Sequence, residues 1–136
     1  VDFVLDASVT MSWCFQNEST PYTEGVLDRL QTATAIVPAI WPLEVANVLL
    51  ATERRGRLKE AQSRRFIELL LALPIVMEQP AAERILTSVL TLGREQGLSA
   101  YDAAYLELAV RLDLPLATRD ERVISAAEAI GGKILA

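Results

Sequence analysis

Phe3-Val4-Leu5-Asp6-Ala7-Ser8 decides the fold, because a short apolar run halts there on a carboxylate and passes into small residues. Consecutive large apolar residues without polar alternation predict a strand buried on both faces. Such a strand delivers Asp6 to its carboxyl end, the edge of an open α/β sheet where ligands bind. Asp6 also suits the cap of a helix beginning at Ser8 or Val9. It gains chemical meaning only if later segments bring further acids to the same edge, and Glu44, Asp102 and Asp120 are placed to do so.

Outward from this stretch, Val9 to Phe15 predicts a short helical turn packing Trp13 and Phe15 inward, and Gln16 to Pro21 is polar and turn-like. Tyr22 to Thr34 carries Val26, Leu27, Leu30 and Ala33 at helical spacing, the pattern of an amphipathic surface helix. Ala35-Ile36-Val37, bounded by Pro38, is a second buried-strand candidate. Pro42 suits the first helical position, where its missing N–H costs nothing, and this puts Glu44 in the first turn. Asn47, three residues on, shares the face of Glu44. That helix runs to Arg55, with Gly56 as its stop.

Arg57 to Leu73 predicts a helix burying Phe66, Ile67, Leu70 and Leu71, followed by a strand at Ile75-Val76-Met77. Pro80 opens a long helix ending near Gln96-Gly97, and Ser99 to Asp102 starts another that is apolar nearly all round and therefore buried. Leu116-Ala117-Thr118 is a fourth strand with Asp120 just beyond it. Glu121 to Ala129 is helical, and Lys133-Ile134-Leu135 is a final edge strand. Strands alternating with helices predict an α/β fold, a parallel, about five-stranded sheet sandwiched between helices, in a single domain spanning 1–136.

The totals agree with this and narrow the chemistry. A chain of 136 residues with 51% hydrophobic content is large enough to bury a core without disulfides. No apolar run approaches the ~18 residues of a membrane span. The apolar start at Val1 leaves no room for a signal peptide, so the expected location is cytoplasmic. A lone Cys14 excludes an intrachain disulfide and thiolate metal sites, and the absence of histidine removes Ser-His-Asp and Cys-His catalysis. The net charge of −5 opposes nonspecific nucleic-acid binding, although two divalent cations in an acidic pocket would cancel most of it.

Each acid has an ordinary explanation. Glu44 in a first turn favours the helix dipole by ~0.3–1 kcal/mol, Ser99-x-x-Asp102 matches a capping box, and Asp120 could cap the helix after it. The coincidence is what these explanations miss, since all four acids fall where they can face one sheet edge. Two unit charges ~4 Å apart repel by ~4 kcal/mol at an effective dielectric near 20. A gathered set must therefore take up protons or bind cations, and oxygen ligands alone select Mg²⁺ or Mn²⁺. Metal-assisted phosphodiester cleavage suits such a site.

Leu5-Asp6-Ala7-Ser8, Pro42-Leu43-Glu44-Val45-Ala46-Asn47, Ser99 to Ala109 and Leu116-Ala117-Thr118-Arg119-Asp120, in that order, resemble the PIN-domain ribonucleases, specifically VapC-type toxins of toxin–antitoxin pairs. The resemblance runs to about Val123. It implies a PIN-like α/β/α fold, an endoribonuclease dependent on Mg²⁺ or Mn²⁺, an RNA substrate, dimerisation and a cognate antitoxin. It further implies Asp6 and Asp102 as principal metal ligands, Glu44 completing the acidic pocket, Asp120 as a more variable fourth acid, and hydroxyls from Ser8 and Thr118 nearby. Either Glu44 or Asp120 would order the attacking water. Cationic guides for RNA are sought at Arg119 and Arg122 beside Asp120, and in the basic stretch that includes Arg54 and Arg55, where a solvated helix surface is the competing explanation. Trp13, Phe15, Trp41 and the Leu-rich helices suggest apolar surface for a homodimer or an antitoxin helix.

Two other functions compete. A haloacid-dehalogenase-like phosphatase also places an Asp after its first strand but requires Asp-x-Asp, where this chain has Asp6-Ala7-Ser8. A non-catalytic binding module on the same fold would not need all four acids.

Overall fold

The computed structural model describes residues 2–136. Four strands form one parallel sheet in the order β3-β2-β1-β4. They are β1 (Phe3–Leu5), β2 (Ala35–Pro38), β3 (Ile75–Glu78) and β4 (Leu116–Ala117). The chain steps from β1 outward through β2 to β3, then returns to lay β4 on the other flank of β1. That reversal opens a crevice beyond the carboxyl ends of the central strands.

The strand residues divide between the two faces as a pleated sheet demands. Phe3 and Leu5 join Val9, Val26, Leu30, Ala35 and Val37 in one core, whereas Val4 joins Tyr105, Leu106, Leu108, Leu116 and Val123 in the other. All three residues of β1 are fully buried, and each such side chain contributes about 1.5–3 kcal/mol by leaving water. Helices α1 (Ala7–Ser12) and α2 (Pro21–Arg29) supply the first core, and α7 (Ala100–Leu112) and α8 (Glu121–Ala129) supply the second. A third cluster, Met11, Val45, Leu49, Phe66 and Leu70, ties α1 to α3 (Trp41–Arg54) and α4 (Glu60–Ala72). Between β3 and α7 the chain runs through α5 (Ala82–Arg84), a π-helical turn at Ile85–Val89 and α6 (Leu90–Gln96).

Three expectations need correction. The sheet has four strands and not five, because Ile134 makes only an isolated parallel bridge to Leu116. β4 spans two residues, and the bonds from Leu116 N to Lys133 O and from Leu135 N to Leu116 O are spent on that one bridge. Helix α2 stops at Arg29, short of the predicted Thr34. In α4 only Ser63, Phe66 and Leu70 are buried, while Ile67 and Leu71 are exposed. Leu69, Leu70 and Leu71 are consecutive, so apolar character alone cannot tell which of them faces the core. Leu71 is 82% exposed, and replacing it by Gln is expected to change unfolding free energy by less than about 0.5 kcal/mol. A larger loss in a urea titration would mean that this face of α4 is covered in the monomer.

Candidate active site: an acidic cleft

Parallel register builds the site. Leu5 pairs with Ala117, so Asp6 and Thr118 leave adjacent strands side by side, and Asp6 N donates to Ala117 O at 3.0 Å. Asp6 is the N-cap residue of α1, yet its side chain makes no capping bond. Its Oδ2 instead accepts hydrogen bonds from the Thr118 hydroxyl at 2.6 Å and the Ser8 hydroxyl at 3.0 Å. The same hydroxyls accept from the next strand end: Thr118 Oγ1 from Asp120 N, and Ser8 Oγ from Arg119 N. The β1–α1 and β4–α8 junctions are thereby locked together around one carboxylate.

The other acids reach this edge from helix starts. α3 opens with Trp41 and Pro42 and carries Glu44 in its first turn. α7 opens after Ser99, whose hydroxyl accepts from Asp102 N, which puts Asp102 in that first turn. Asp120 is the N-cap of α8 and accepts from Arg122 N and Val123 N, so the capping explanation holds for it in full. A cleft of about 550 Å³ is lined by Asp6, Ser8, Glu44, Asp102 and Asp120, with Glu18 and Arg119 on its rim and Met11, Phe15 and Val48 as apolar wall. All four predicted acids therefore face one cavity.

The remaining predicted residues divide. Ser8 lines the cleft, Thr118 stands behind Asp6, and Arg119 lines the cleft while its guanidinium donates to the Glu18 carbonyl at 2.9 Å. Arg122 is largely exposed and lies 3.9 Å from Asp120 Oδ1. Asn47 is exposed and outside the lining, because the helix turns Glu44 and Val48, four apart, into the cleft instead. Arg54 and Arg55 are also outside it, at the far end of α3, about 15 Å along the axis from Glu44. Trp13, Phe15 and Trp41 pack against core clusters, so the exposed apolar surface comes from Leu43, Leu71, Val76, Leu86 and Tyr101.

Two residues with evident roles carry no obvious sequence signal. Tyr105, fully buried, donates its hydroxyl to Glu44 Oε1 at 2.5 Å. Trp41 Nε1 donates to Thr10 Oγ1 at 2.9 Å, and that hydroxyl donates to the Asp6 carbonyl at 3.2 Å. The one cue available is the spacing of Tyr105 three residues after Asp102, which puts both on one face of α7.

Electrostatics follow from the crowding. Burial raises the Asp6 pKa above the ordinary carboxylate value; the Thr118 and Ser8 hydroxyls oppose this, and the Asp102 charge adds to it. Glu44 is raised by burial, with the Tyr105 hydrogen bond opposing and the charges of Asp6 and Asp102 reinforcing. Asp102 is raised by burial and then by Asp120. Burial and the neighbouring Glu44 hold the Tyr105 phenol protonated, as a donor. Carboxylates that resist ionisation beside one another are suited to a cation. No salt bridge joins Asp6, Glu44 or Asp102 to Arg or Lys among the described residues. Among those residues, too, no three acids are already arranged as a metal cage. The fit to a hard divalent ion thus rests on the all-oxygen donor set and its mutual repulsion.

Fold and cleft together define a class: parallel α/β proteins that gather acids at the carboxyl edge of the sheet. Residues 3–129 match the PIN domain family, and the chain belongs to that family. It is 28% identical over 120 residues to Ribonuclease VapC3 of Pyrobaculum aerophilum, an alignment covering 88% of this chain and 90% of that protein. In structure it resembles VapBC2 from Rickettsia felis, solved bound to a DNA fragment from their promoter, with TM-score 0.71, 14% identity and coverage of 100% of this chain and 98% of that one. A toxin–antitoxin complex from Klebsiella pneumoniae gives TM-score 0.64 and 16% identity, with coverage of 98% and 96%. At those identities the two structures speak for the fold.

Proposed function

We propose that this chain is a VapC-type toxin: a cytoplasmic endoribonuclease, dependent on Mg²⁺ or Mn²⁺ and held inactive by a cognate antitoxin. The observation that carries this reading is the convergence of four acids from four separate chain segments on one cleft. PIN-family membership and the similarity to Ribonuclease VapC3 support it and displace the phosphatase alternative. The structural neighbour solved as a toxin–antitoxin complex supports an antitoxin partner.

Asp6, Glu44 and Asp102 would hold the ion, with Asp120 as the fourth acid. When bound, the ion supplies charge neutralisation at the scissile phosphate and activation of water. The protein's own groups do the rest. Thr118 and Ser8 fix the Asp6 carboxylate through Oδ2. Arg119 at the rim and Arg122 beside Asp120 draw the RNA backbone toward an otherwise acidic surface. Glu44 or Asp120 orders the attacking water and accepts its proton. Leu43, Leu71 and Leu86 are each more than half exposed, and such surface suits an antitoxin or a second copy of the chain.

The purified protein is expected to cut single-stranded RNA when Mn²⁺ or Mg²⁺ is present and to stop when EDTA is added. Failure to cut any of a broad set of RNAs with either ion would favour a non-catalytic PIN-fold binding module.

A further inference from the structure

Glu44 stands on a helix whose own packing does not determine where its carboxylate points, since the side chain is only half-buried and α3 begins just three residues earlier. Two hydrogen bonds outside the acid set supply that control. The Tyr105 hydroxyl, reaching from the middle of the buried helix α7, occupies Glu44 Oε1. Glu44 Oε2 makes no hydrogen bond among the described residues. The Trp41 indole, one helical turn before Glu44, is fastened through Thr10 to the carbonyl of Asp6. The start of α3 is therefore pinned to the β1–α1 junction, and its carboxylate is pinned to α7. These are the elements that bear Asp6 and Asp102.

We propose that Tyr105 is a positioning residue that, with the Trp41–Thr10 link, holds the Glu44 carboxylate with Oε2 presented to the cleft, setting the site's affinity for a divalent cation before any RNA binds. This inference rests on the metal-dependent nuclease reading. A purely structural role would be satisfied by any acceptor that neutralises a buried hydroxyl. Here the acceptor is the one carboxylate that α3 lends to the cleft, and partners of this kind, which orient a ligand without touching the ion, govern metal affinity.

The test is calorimetric titration of metal-free protein with Mn²⁺, paired with melting of the same samples without metal. Tyr105→Phe keeps the ring in the core and removes only the hydroxyl. It is expected to weaken Mn²⁺ binding about tenfold, while RNA cleavage returns to near the parental rate once Mn²⁺ is saturating. Glu44→Gln should weaken binding as well, and the double variant should bind no more weakly than Glu44→Gln alone, because the phenol acts only through that carboxylate. Unchanged affinity in Tyr105→Phe, or losses that add in the double variant, overturns the inference while leaving the nuclease reading in place. A parent protein that binds no Mn²⁺ overturns both. If Tyr105→Phe does not fold, Trp41→Phe, which breaks the Thr10 bond, must weaken Mn²⁺ binding; unaltered binding there overturns the inference equally.

Discussion

Asp6→Asn is expected to lower RNA cleavage by about 10³-fold or more while raising the melting temperature of the metal-free protein. The loss follows from position. Asp6 is the most buried of the four acids and the only one gripped by two hydroxyls from different chain segments. An amide can still accept those two hydrogen bonds through its oxygen, so the local fold survives. What disappears is the charge that would bind the cation, and cation stabilisation of a phosphoryl transition state is worth several kcal/mol, about a decade of rate per 1.4 kcal/mol. The gain in stability has the same origin. Burial holds the Asp6 pKa up, so keeping the carboxylate ionised at neutral pH costs folding free energy that an amide does not. Substitutions that relieve strain at functional sites commonly return about 0.5–2 kcal/mol at the expense of activity. Single-turnover cleavage and thermal melting of the same preparations check both halves. A variant that cuts RNA at the parental rate removes Asp6 from the chemistry, and one that melts lower shows that the charge helps hold the fold.

The parts of this site that were legible in the sequence share a physical reason. Asp6 and Asp120 follow strands buried on both faces, and an uninterrupted apolar run ending in an acid leaves few other places for the carboxylate. Glu44 and Asp102 lie at helix starts marked by Pro42 and Ser99, where local chemistry sets the boundary. Phase was harder to read. An i,i+3 spacing puts Asn47 on the face of Glu44, but the helix presents Val48 to the cleft, and which neighbour prevails depends on what α3 packs against. The triple leucine of α4 hid its own inward face in the same way. Tyr105 was invisible because a phenol within an apolar helix looks like core. It is core, and its distinguishing bond is to a residue 61 positions away. The fifth strand failed because pairing is a property of two segments, and β4 offers only two residues to pair with.

Mn²⁺ is expected to raise the melting temperature of the parent protein by about 10 °C when present at about a hundred times its dissociation constant. An ion that binds only the folded cleft contributes RT ln(1 + [L]/Kd), roughly 2.7 kcal/mol at that excess, and a domain of this size gains about 3–5 °C per kcal/mol. Without metal, pH acts on the same charges. Asp6, Glu44 and Asp102 all have folded-state pKa values raised above their ordinary ones, so the folded protein holds these protons more tightly than the unfolded chain. Their contribution to stability is accordingly present below the ordinary carboxylate range and is lost as pH rises through the raised values. The stability advantage of metal-free Asp6→Asn over the parent should therefore be largest near neutrality and shrink as pH falls through the raised Asp6 value toward the ordinary carboxylate range, with acid unfolding elsewhere cancelling in the difference. Mn²⁺ should show the same pH trend, stabilising the parent more at neutral than at acidic pH, because proton and cation compete for the same oxygens. Asp6→Asn should gain far less from the ion at either pH. Equal Mn²⁺ shifts in parent and variant would place the cation outside the cleft, and a parent–variant gap that widens on acidification would reverse the sign assigned to these carboxylates.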